Sequence, residues 1–159
     1  MALDQCIVEK CKTSWDEQFL RGLKNSGNCS GFLKSVAQKL GVPMANLPAD
    51  GIIDSVATTW RKVDSGAEAV KLAATGYFVV VGLRAKDHTP PATQGHVAIV
   101  VTGPLYHGKY PVCWGGSTGH AQSKGDKSVG TIFPVSSRDK VSYFAYIKPV
   151  CTVAASAKK

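Results

Sequence analysis

The sequence predicts an α+β fold in which the helices come first and an antiparallel sheet follows. In the first half, apolar residues recur every three or four positions, the period of a helix with one buried face. In the second half, short β-branched runs are separated by glycine and proline turns, as strands are. The chain has 159 residues, 44% of them hydrophobic, and no linker or repeat divides it. We therefore expect one domain over residues 1–159.

Four helical segments are expected in the first half of the chain. They cover approximately residues 4–23, 29–40, 52–60 and 65–76. The second should stop at Gly41, because glycine commonly occupies the position that follows a helix. The fourth opens with Ser65 and Glu68 at the spacing of a capping box, in which each side chain satisfies a backbone N–H of the first turn.

The second half predicts a meander of strands. They are expected at residues 77–83, 96–101, 110–114, 130–133 and 141–147. The first two are continuous apolar runs, which is typical of strands covered on both faces. The loop 84–95 between them contains the pair Pro90–Pro91 and is expected to be mobile.

The net charge of +8 makes a polyanion the first partner to consider. Nucleic acid and the anionic polymer of a bacterial wall are both negatively charged and would be attracted to this chain. The cations are scattered along the chain, without the basic stripe, zinc-finger spacing or aromatic motif of nucleic-acid binders. We therefore expect no nucleic-acid partner, and the charge leaves open an ordinary basic surface.

The first residues lack the features of an export signal or membrane anchor. Residues 1–12 have neither a basic start nor a long apolar stretch. The longest apolar run, Tyr77 to Leu83, is far shorter than a membrane helix. We expect a chain that is made in the cytoplasm without a signal peptide and does not insert into a membrane. No cysteine pair has zinc-site spacing, so no metal or other cofactor is expected.

Cys29 is the candidate nucleophile among five cysteines. It stands between Asn28 and Ser30, where an amphipathic helix begins. The free N–H groups and the dipole at a helix N-terminus favour a thiolate, so we expect a lowered pKa for this thiol. Ser30 and Gly31 are small, which would let a substrate carbonyl reach backbone N–H donors.

His96 is the candidate base. It starts the apolar run 97–101 and would stand on a central strand beside the helix of Cys29. Gly95 before it would leave room for a substrate backbone. The other histidines, His88, His107 and His120, fall in expected loops, which hold a catalytic ring poorly.

Several segments, in order over nearly the whole chain, resemble the first family of type VI secretion amidase effectors. They are residues 3–6, 28–32, 40–44, 95–98, 103–106 and 109–111. That family is a compact variant of the NlpC-type, papain-like cysteine peptidases. The resemblance implies a papain-like fold and cleavage of the γ-D-glutamyl–meso-diaminopimelate bond in peptidoglycan peptide stems, with Cys29 and His96 in the catalytic roles.

The resemblance also implies how the protein is used. The type VI apparatus would carry it from the cytoplasm of its producer into the periplasm of a target bacterium. A cognate periplasmic immunity protein would protect against it, and nothing in the sequence indicates more than a monomer. Two features depart from the family: Gly115 offers no side chain where the family has one that orients the histidine, and the loop 84–95 is longer.

The remaining cysteines and two other functions complete the expectations. Cys6 falls on the buried face of the first helix and Cys151 follows the last strand, so we expect them to form a disulfide in an oxidising space. Cys11 and Cys113 would then be buried thiols. A housekeeping or phage NlpC-type wall hydrolase would share the chemistry, and a basic wall-binding module without catalysis would not need the Cys29 and His96 pair.

Overall fold

The computed structural model describes residues 2–20, 23–117 and 121–152 of the chain. Within these residues the helices are α1 Gln5–Ser14, α2 Cys29–Lys39, α3 Ala49–Thr59, α4 Gly66–Ala74 and the single turn α5 Val129–Ile132. The strands are β1 Gln18–Leu20, β2 Leu23–Lys24, β3 Arg61–Val63, β4 Val79–Leu83, β5 His96–Val100, β6 Val112–Gly115, β7 Ser123–Ser128 and β8 Ser142–Ala145. No helix in these ranges is both long and apolar enough to cross a membrane.

Six of the strands form one antiparallel sheet in the order β3-β8-β4-β5-β6-β7. The predicted α+β class is therefore confirmed, and the arrangement is consistent with the papain-like fold. The sheet contains the expected meander over β4, β5 and β6, but β8 returns to lie between β3 and β4. This puts β4 and β5, which carry the most apolar sequences, at the centre.

Helices cover both faces of this sheet, which divides the core into two clusters. On β5, Val97 and Ile99 face the cluster built with α1, α2 and α3, whereas Ala98 and Val100 face the cluster that includes α4 and α5. Side chains alternate in this way along any strand. Every residue of β4 and β5 is buried, as their apolar runs predicted.

The two best-defined helix ends follow from local sequence. Gly41, just after α2, has a φ of +74°, a conformation that glycine adopts without steric cost. At α4, the Ser65 hydroxyl accepts a hydrogen bond from the N–H of Glu68 at 3.1 Å, so this part of the predicted capping box is confirmed. Both helices begin and end within a few residues of the predicted bounds.

Two predicted elements were wrong. The first helix ends at Ser14 instead of continuing to Leu23, and the chain then forms the small sheet of β1 and β2. The segment 13–16 contains Thr, Ser and Asp, which are weak helix formers, and the carbonyl of Trp15 accepts from the N–H of Ser26 at 3.1 Å. The run 130–133, expected as a strand, belongs to the turn α5, and so short an apolar run cannot distinguish the two.

Strands β3 and β7 were not predicted. They are the two edge strands of the sheet, and their sequences, Arg-Lys-Val and Ser-Lys-Gly-Asp-Lys-Ser, are mostly polar. Charged residues are common on edge strands because they discourage pairing with other chains. An edge strand of this kind has no apolar alternation from which a sequence could predict it.

The predicted cysteine pairing is confirmed. Cys6 and Cys151 form a disulfide with Cα atoms 5.9 Å apart, while Cys11 and Cys113 are free thiols buried in the core. The disulfide joins α1 to the segment after β8. The carbonyl of Gly76 accepts from the N–H of Cys151 at 3.1 Å, so the same segment is also attached to the end of α4.

Candidate active site

The position of Cys29 at the first residue of α2 is set by its neighbour Asn28. The Asn28 side chain is the N-cap of the helix: its Oδ1 accepts from the N–H of Gly31 at 3.0 Å and from the Ser30 hydroxyl at 3.1 Å. A cap of this kind satisfies a donor that the helix leaves free and fixes where the first turn begins. The thiol is therefore held at a defined helix N-terminus, as the sequence predicted.

The turn before Asn28 is anchored in the core by Asn25. This buried side chain donates from Nδ2 to the carbonyl of Ser14 at 2.8 Å and to the Ser35 hydroxyl at 2.9 Å. Its own carbonyl approaches β6 so closely that a Cβ on Gly116 would lie 2.0 Å from it. Glycine at position 116 thus lets the turn that precedes Cys29 rest directly on the end of β6.

The charge environment of Cys29 is less favourable to a thiolate than its helix position predicted. Burial of the largely enclosed thiol raises its pKa above the usual value of 9.0, and this effect outweighs the others. The backbone N–H groups of Val97, Ser30 and Cys29 itself act in the opposite direction and lower the pKa. The expected lowered pKa is therefore wrong in sign, and the thiol is protonated near neutral pH until a base removes its proton.

Lys34 adds positive charge near the same thiol. It lies on α2, is buried to 5% exposure, and donates from Nζ to the carbonyl of Leu47 at 3.1 Å and to the side chain of Asn46. Both of these acceptors are neutral groups. The charge of Lys34 is one of the influences that lower the pKa of Cys29. The lysine also borders a cavity of about 440 Å³ beside the end of α2.

The predicted oxyanion donors need one correction. The N–H of Gly31 bonds to the Asn28 cap, so it is not available to a substrate. The space above Gly31 is also filled, since a Cβ there would lie 2.5 Å from Asn28 Nδ2. The amides that face the Cys29 sulfur are those of Cys29, Ser30 and Val97. A carbonyl carbon bonded to this sulfur would place its oxygen among such donors.

His96 occupies the first position of β5, immediately before the Val97 amide that faces the thiol. It pairs with Leu83 of β4 and its side chain is fully buried. The imidazole ring lies 5.0 Å from the ring of Phe133, on the face of the sheet opposite to Val97. The structure thus brings Cys29 to the start of β5, while the His96 ring packs against the second core cluster.

Gly95 does not serve the purpose that the sequence suggested. We expected it to leave room for a substrate backbone. A Cβ at this position would instead lie 2.1 Å from Oδ1 of Asp50, at the start of α3, and 3.0 Å from the carbonyl of Leu83. The space is therefore occupied by a carboxylate of the protein itself. Sequence reasoning did not single out Asp50, because its contact with residue 95 is made only in the folded chain.

The other three histidines have different surroundings. His88 was expected in a mobile loop, but it is 4% exposed and its ring stacks on Phe133 with centroids 6.4 Å apart. The loop is held there because the N–H of Thr89 donates to the Ser137 hydroxyl at 3.1 Å. His107 is exposed, as expected, and His120 lies outside the described residues.

The structure shows the surroundings of Gly115, the position at which the chain lacks the side chain found in the family. A Cβ at position 115 would lie 3.0 Å from the Cβ of Ala98, on the same face of the sheet as the His96 ring. Ala98 is two residues from His96 on the same strand, so position 115 is close to the start of β5 without contacting the histidine. With glycine, position 115 supplies no orienting group, so the start of β5 is held by contacts elsewhere.

Comparison with known proteins identifies the family. The chain is 47% identical over 154 residues to the peptidoglycan amidase Tse1 of Pseudomonas aeruginosa, and the aligned region covers 96% of each protein. No family model matches the chain. Identity at this level over almost the full length extends the resemblance of the short motifs to the whole sequence, and the chain belongs to the Tse1 family of amidases.

Proposed function

We propose that this chain is a peptidoglycan amidase that hydrolyses the γ-D-glutamyl–meso-diaminopimelate bond of wall peptide stems. Residues 1–159 would act as one catalytic domain, with Cys29 as nucleophile and His96 as base. The observation that carries the proposal is the placement of Cys29: among the described residues it is the free cysteine that is not fully buried, and it faces the start of the histidine strand. Membership of the Tse1 family supports the reaction class and the substrate.

The proposed reaction proceeds in two stages on the same pair of residues. His96 takes the thiol proton of Cys29, and the sulfur attacks the γ-carbonyl carbon of the D-glutamyl residue. The carbonyl oxygen becomes an oxyanion near the amides of Cys29 and Ser30. The C–N bond then breaks, and the diaminopimelate amine leaves with the proton from the imidazolium. Water, deprotonated by His96, hydrolyses the thioester and restores the free thiol.

The raised pKa of Cys29 gives His96 a necessary part in this scheme. A preformed thiolate would need no base for its attack, but a thiol that is protonated at neutral pH does. The histidine at the start of β5 adjoins Val97, whose amide faces the sulfur. The His96 ring itself packs against Phe133 in the structure, so its assignment as the base rests on the family relationship and on the position of its backbone beside Val97.

The biological setting is proposed on the family relationship. We infer that the protein is an antibacterial effector, delivered by the type VI apparatus into the periplasm of a target cell and neutralised there by a cognate immunity protein. It would act as a monomer. The net charge of +8 would attract it to the anionic wall, an attraction that weakens as salt screens it.

Digestion of isolated wall sacculi tests the reaction. The wild-type protein should release peptides with new D-glutamate carboxyl ends and free diaminopimelate amines, identified by mass spectrometry. Cys29→Ala should release none, while Cys113→Ala, a control at a buried free thiol, should retain activity. Turnover by Cys29→Ala would disprove the assigned nucleophile. A protein that binds sacculi but never cuts them would instead be a wall-binding module.

Expression in two compartments tests the effector proposal. A Gram-negative host should tolerate the protein in its cytoplasm, because the substrate is outside. The same chain behind an export signal should lyse the host, and Cys29→Ala behind that signal should not. If the exported wild type is harmless although the purified enzyme cuts sacculi, the effector role is wrong, and a housekeeping hydrolase becomes the better account.

A further inference from the structure

The Asp50 carboxylate connects three segments at the start of the histidine strand. Asp50 is the second residue of α3, and its Oδ1 accepts from the N–H of Ala85 at 3.0 Å, where the chain has just left β4. The same oxygen lies against Gly95, where the chain is about to enter β5. One carboxylate oxygen therefore contacts both ends of the loop 84–95, and His96 is the next residue.

The contact with Gly95 is close enough to constrain the backbone. A Cβ at residue 95 would lie 2.1 Å from Asp50 Oδ1, a distance that non-bonded atoms do not reach. The glycine is buried and its φ is not positive, so the Asp50 contact, and not an unusual backbone conformation, accounts for glycine here. The two residues form a matched pair in which the absence of one side chain makes room for the other.

We propose that Asp50 is a positioning residue for the catalytic histidine, holding the backbone of residues 95 and 96 where the imidazole can serve Cys29. The inference rests on the proposed function, since it assigns Asp50 a part in that same site. It accounts for the departure at Gly115: where that position has no side chain to orient the ring, the carboxylate fixes the strand from which the ring extends. Asp50 acts through Gly95 and does not touch the substrate.

The neighbouring residue Asp54 provides a matched control. It lies one helical turn further along α3 and binds the guanidinium of Arg84, with Asp54 Oδ1 2.6 Å from Arg84 Nε. Asp54 thus also joins α3 to the start of the loop, but by an exposed ion pair with Arg84, whereas the atoms nearest to a Cβ at Gly95 belong to Asp50 and Leu83. An exposed pair of this kind contributes little to stability. Asp54→Ala removes a carboxylate from the same helix without removing the proposed support.

Steady-state hydrolysis of a soluble stem peptide tests the proposal, with kcat and KM measured separately. Asp50→Ala should lower kcat about 10- to 100-fold, the range of a misplaced catalytic group, and leave KM within about threefold. Asp50→Asn should recover most of the rate, because its amide oxygen can still accept from Ala85. Asp54→Ala should resemble the wild type.

Gly95→Ala is the second variant, and it keeps the test decisive if Asp50→Ala is poorly folded. Its methyl group should displace the carboxylate and produce the same loss of kcat. The kcat of the Asp50→Ala/Gly95→Ala double variant should be no lower than that of the less active single variant. A kcat for Asp50→Ala within twofold of the wild type would overturn the proposal, as would independent, additive losses. These outcomes are distinct from failure of the proposed function, in which Cys29→Ala itself would remain active.

Discussion

The two halves of the site are positioned by different kinds of contact. Around Cys29, the decisive hydrogen bonds are local: Asn28 caps its own helix, and Asn25 anchors the preceding turn. Around His96, the contacts come from distant parts of the sequence, Asp50 on α3, Leu83 on β4 and Phe133 after α5. Cys29 is thus fixed by its neighbours in sequence, and His96 by its neighbours in space.

This difference has a consequence for chemistry. The capped helix presents amides to the sulfur, yet burial still raises the pKa of Cys29, so a well-formed helix start alone does not make the thiol reactive. In the proposed mechanism, reactivity depends on His96, whose position is set by the tertiary structure. Substitutions that remove the local hydrogen bonds around Cys29 and substitutions that remove the tertiary contacts around His96 should therefore have separable effects.

The largest effect is expected when either reactive group is removed. His96→Ala and Cys29→Ala should each lower the rate of sacculus digestion by roughly a thousandfold or more, because residues that act as a unit fail together. For the same reason the double variant should be little worse than either single. His107→Ala, at an exposed loop, is the control and should retain full activity.

Alkylation separates the two contributions within this prediction. Iodoacetamide should modify Cys29 of the wild type and react much more slowly with it in His96→Ala at neutral pH. Cys11 and Cys113 should stay unmodified in the folded protein, since burial raises the pKa of each thiol and both are fully enclosed. Equal labelling of Cys29 in the two proteins at pH 7 would show that His96 does not act as a base towards Cys29.

Removal of the disulfide should have the next largest effect. It tests whether the position of Cys29 depends only on nearby residues or also on this distant bridge. Asn25 rests on the end of α1 through the carbonyl of Ser14, and the other end of α1 is held by Cys6–Cys151. Replacing both cysteines by serine should lower the free energy of unfolding by about 2–4 kcal/mol. Thermal melts of the two proteins, each with and without reductant, measure this.

The contrasting outcome concerns activity. If the hydrogen bonds of Asn28 and Asn25 are sufficient to position Cys29, the Cys6→Ser/Cys151→Ser protein should digest sacculi at the wild-type rate below its melting temperature. A large loss of rate in a protein that remains folded would show that the position of Cys29 depends on the distant bridge as well. A reductant that destabilises the double variant as much as the wild type would contradict the prediction.

The same contrast explains what the sequence could predict. The start of α2, the end at Gly41, the cap at Ser65 and the central strands all follow from patterns within a dozen residues, and these were correct. The pair of cysteines could be predicted because both lay at ends of expected elements. The net direction of the Cys29 pKa could not, because it depends on burial by segments far away in the chain.

The errors lie where tertiary contacts override local pattern. Phe19 and Leu23 extend a helical period, yet their segments pair as β1 and β2. The loop 84–95 has the composition of a mobile segment, but Ser137 and the Asp50 carboxylate hold it in place. The space over Gly95 could not be assigned from the sequence either, since a glycine does not reveal which atoms approach it.

A smaller effect is expected at the cap of α2, where the chain offers a matched control. Asn28→Ala removes the acceptor for the N–H of Gly31, and Ser65→Ala removes the corresponding acceptor at α4. Each should lower the free energy of unfolding by about 1 kcal/mol. Only Asn28→Ala should also lower kcat, because the first turn of α2 carries the nucleophile. Equal kcat in both variants would show that the cap is purely structural.

The smallest effect is the pH dependence contributed by His88, in the base's half of the molecule. Burial lowers its pKa below the ordinary value of 6.5, although the Leu83 carbonyl and the carboxylates of Asp50 and Asp87 act to raise it. The charge of Lys140 adds to the lowering. The folded protein therefore binds this proton at a lower pH than the unfolded chain does.

The sign of the effect follows from that difference. Above pH 6.5 His88 is neutral in both states, so its contribution to stability is complete. As the pH falls through 6.5 towards the lowered folded-state pKa, the unfolded chain gains a proton first, and folding stability is lost. His88→Gln should remove this loss, so denaturant titrations at pH 7.5, 6 and 5 should give a flatter stability profile than the wild type. His107→Gln, at an exposed position, controls for the replacement of a histidine by glutamine. An unchanged slope in His88→Gln would show that His88 does not contribute to the acid sensitivity of the fold.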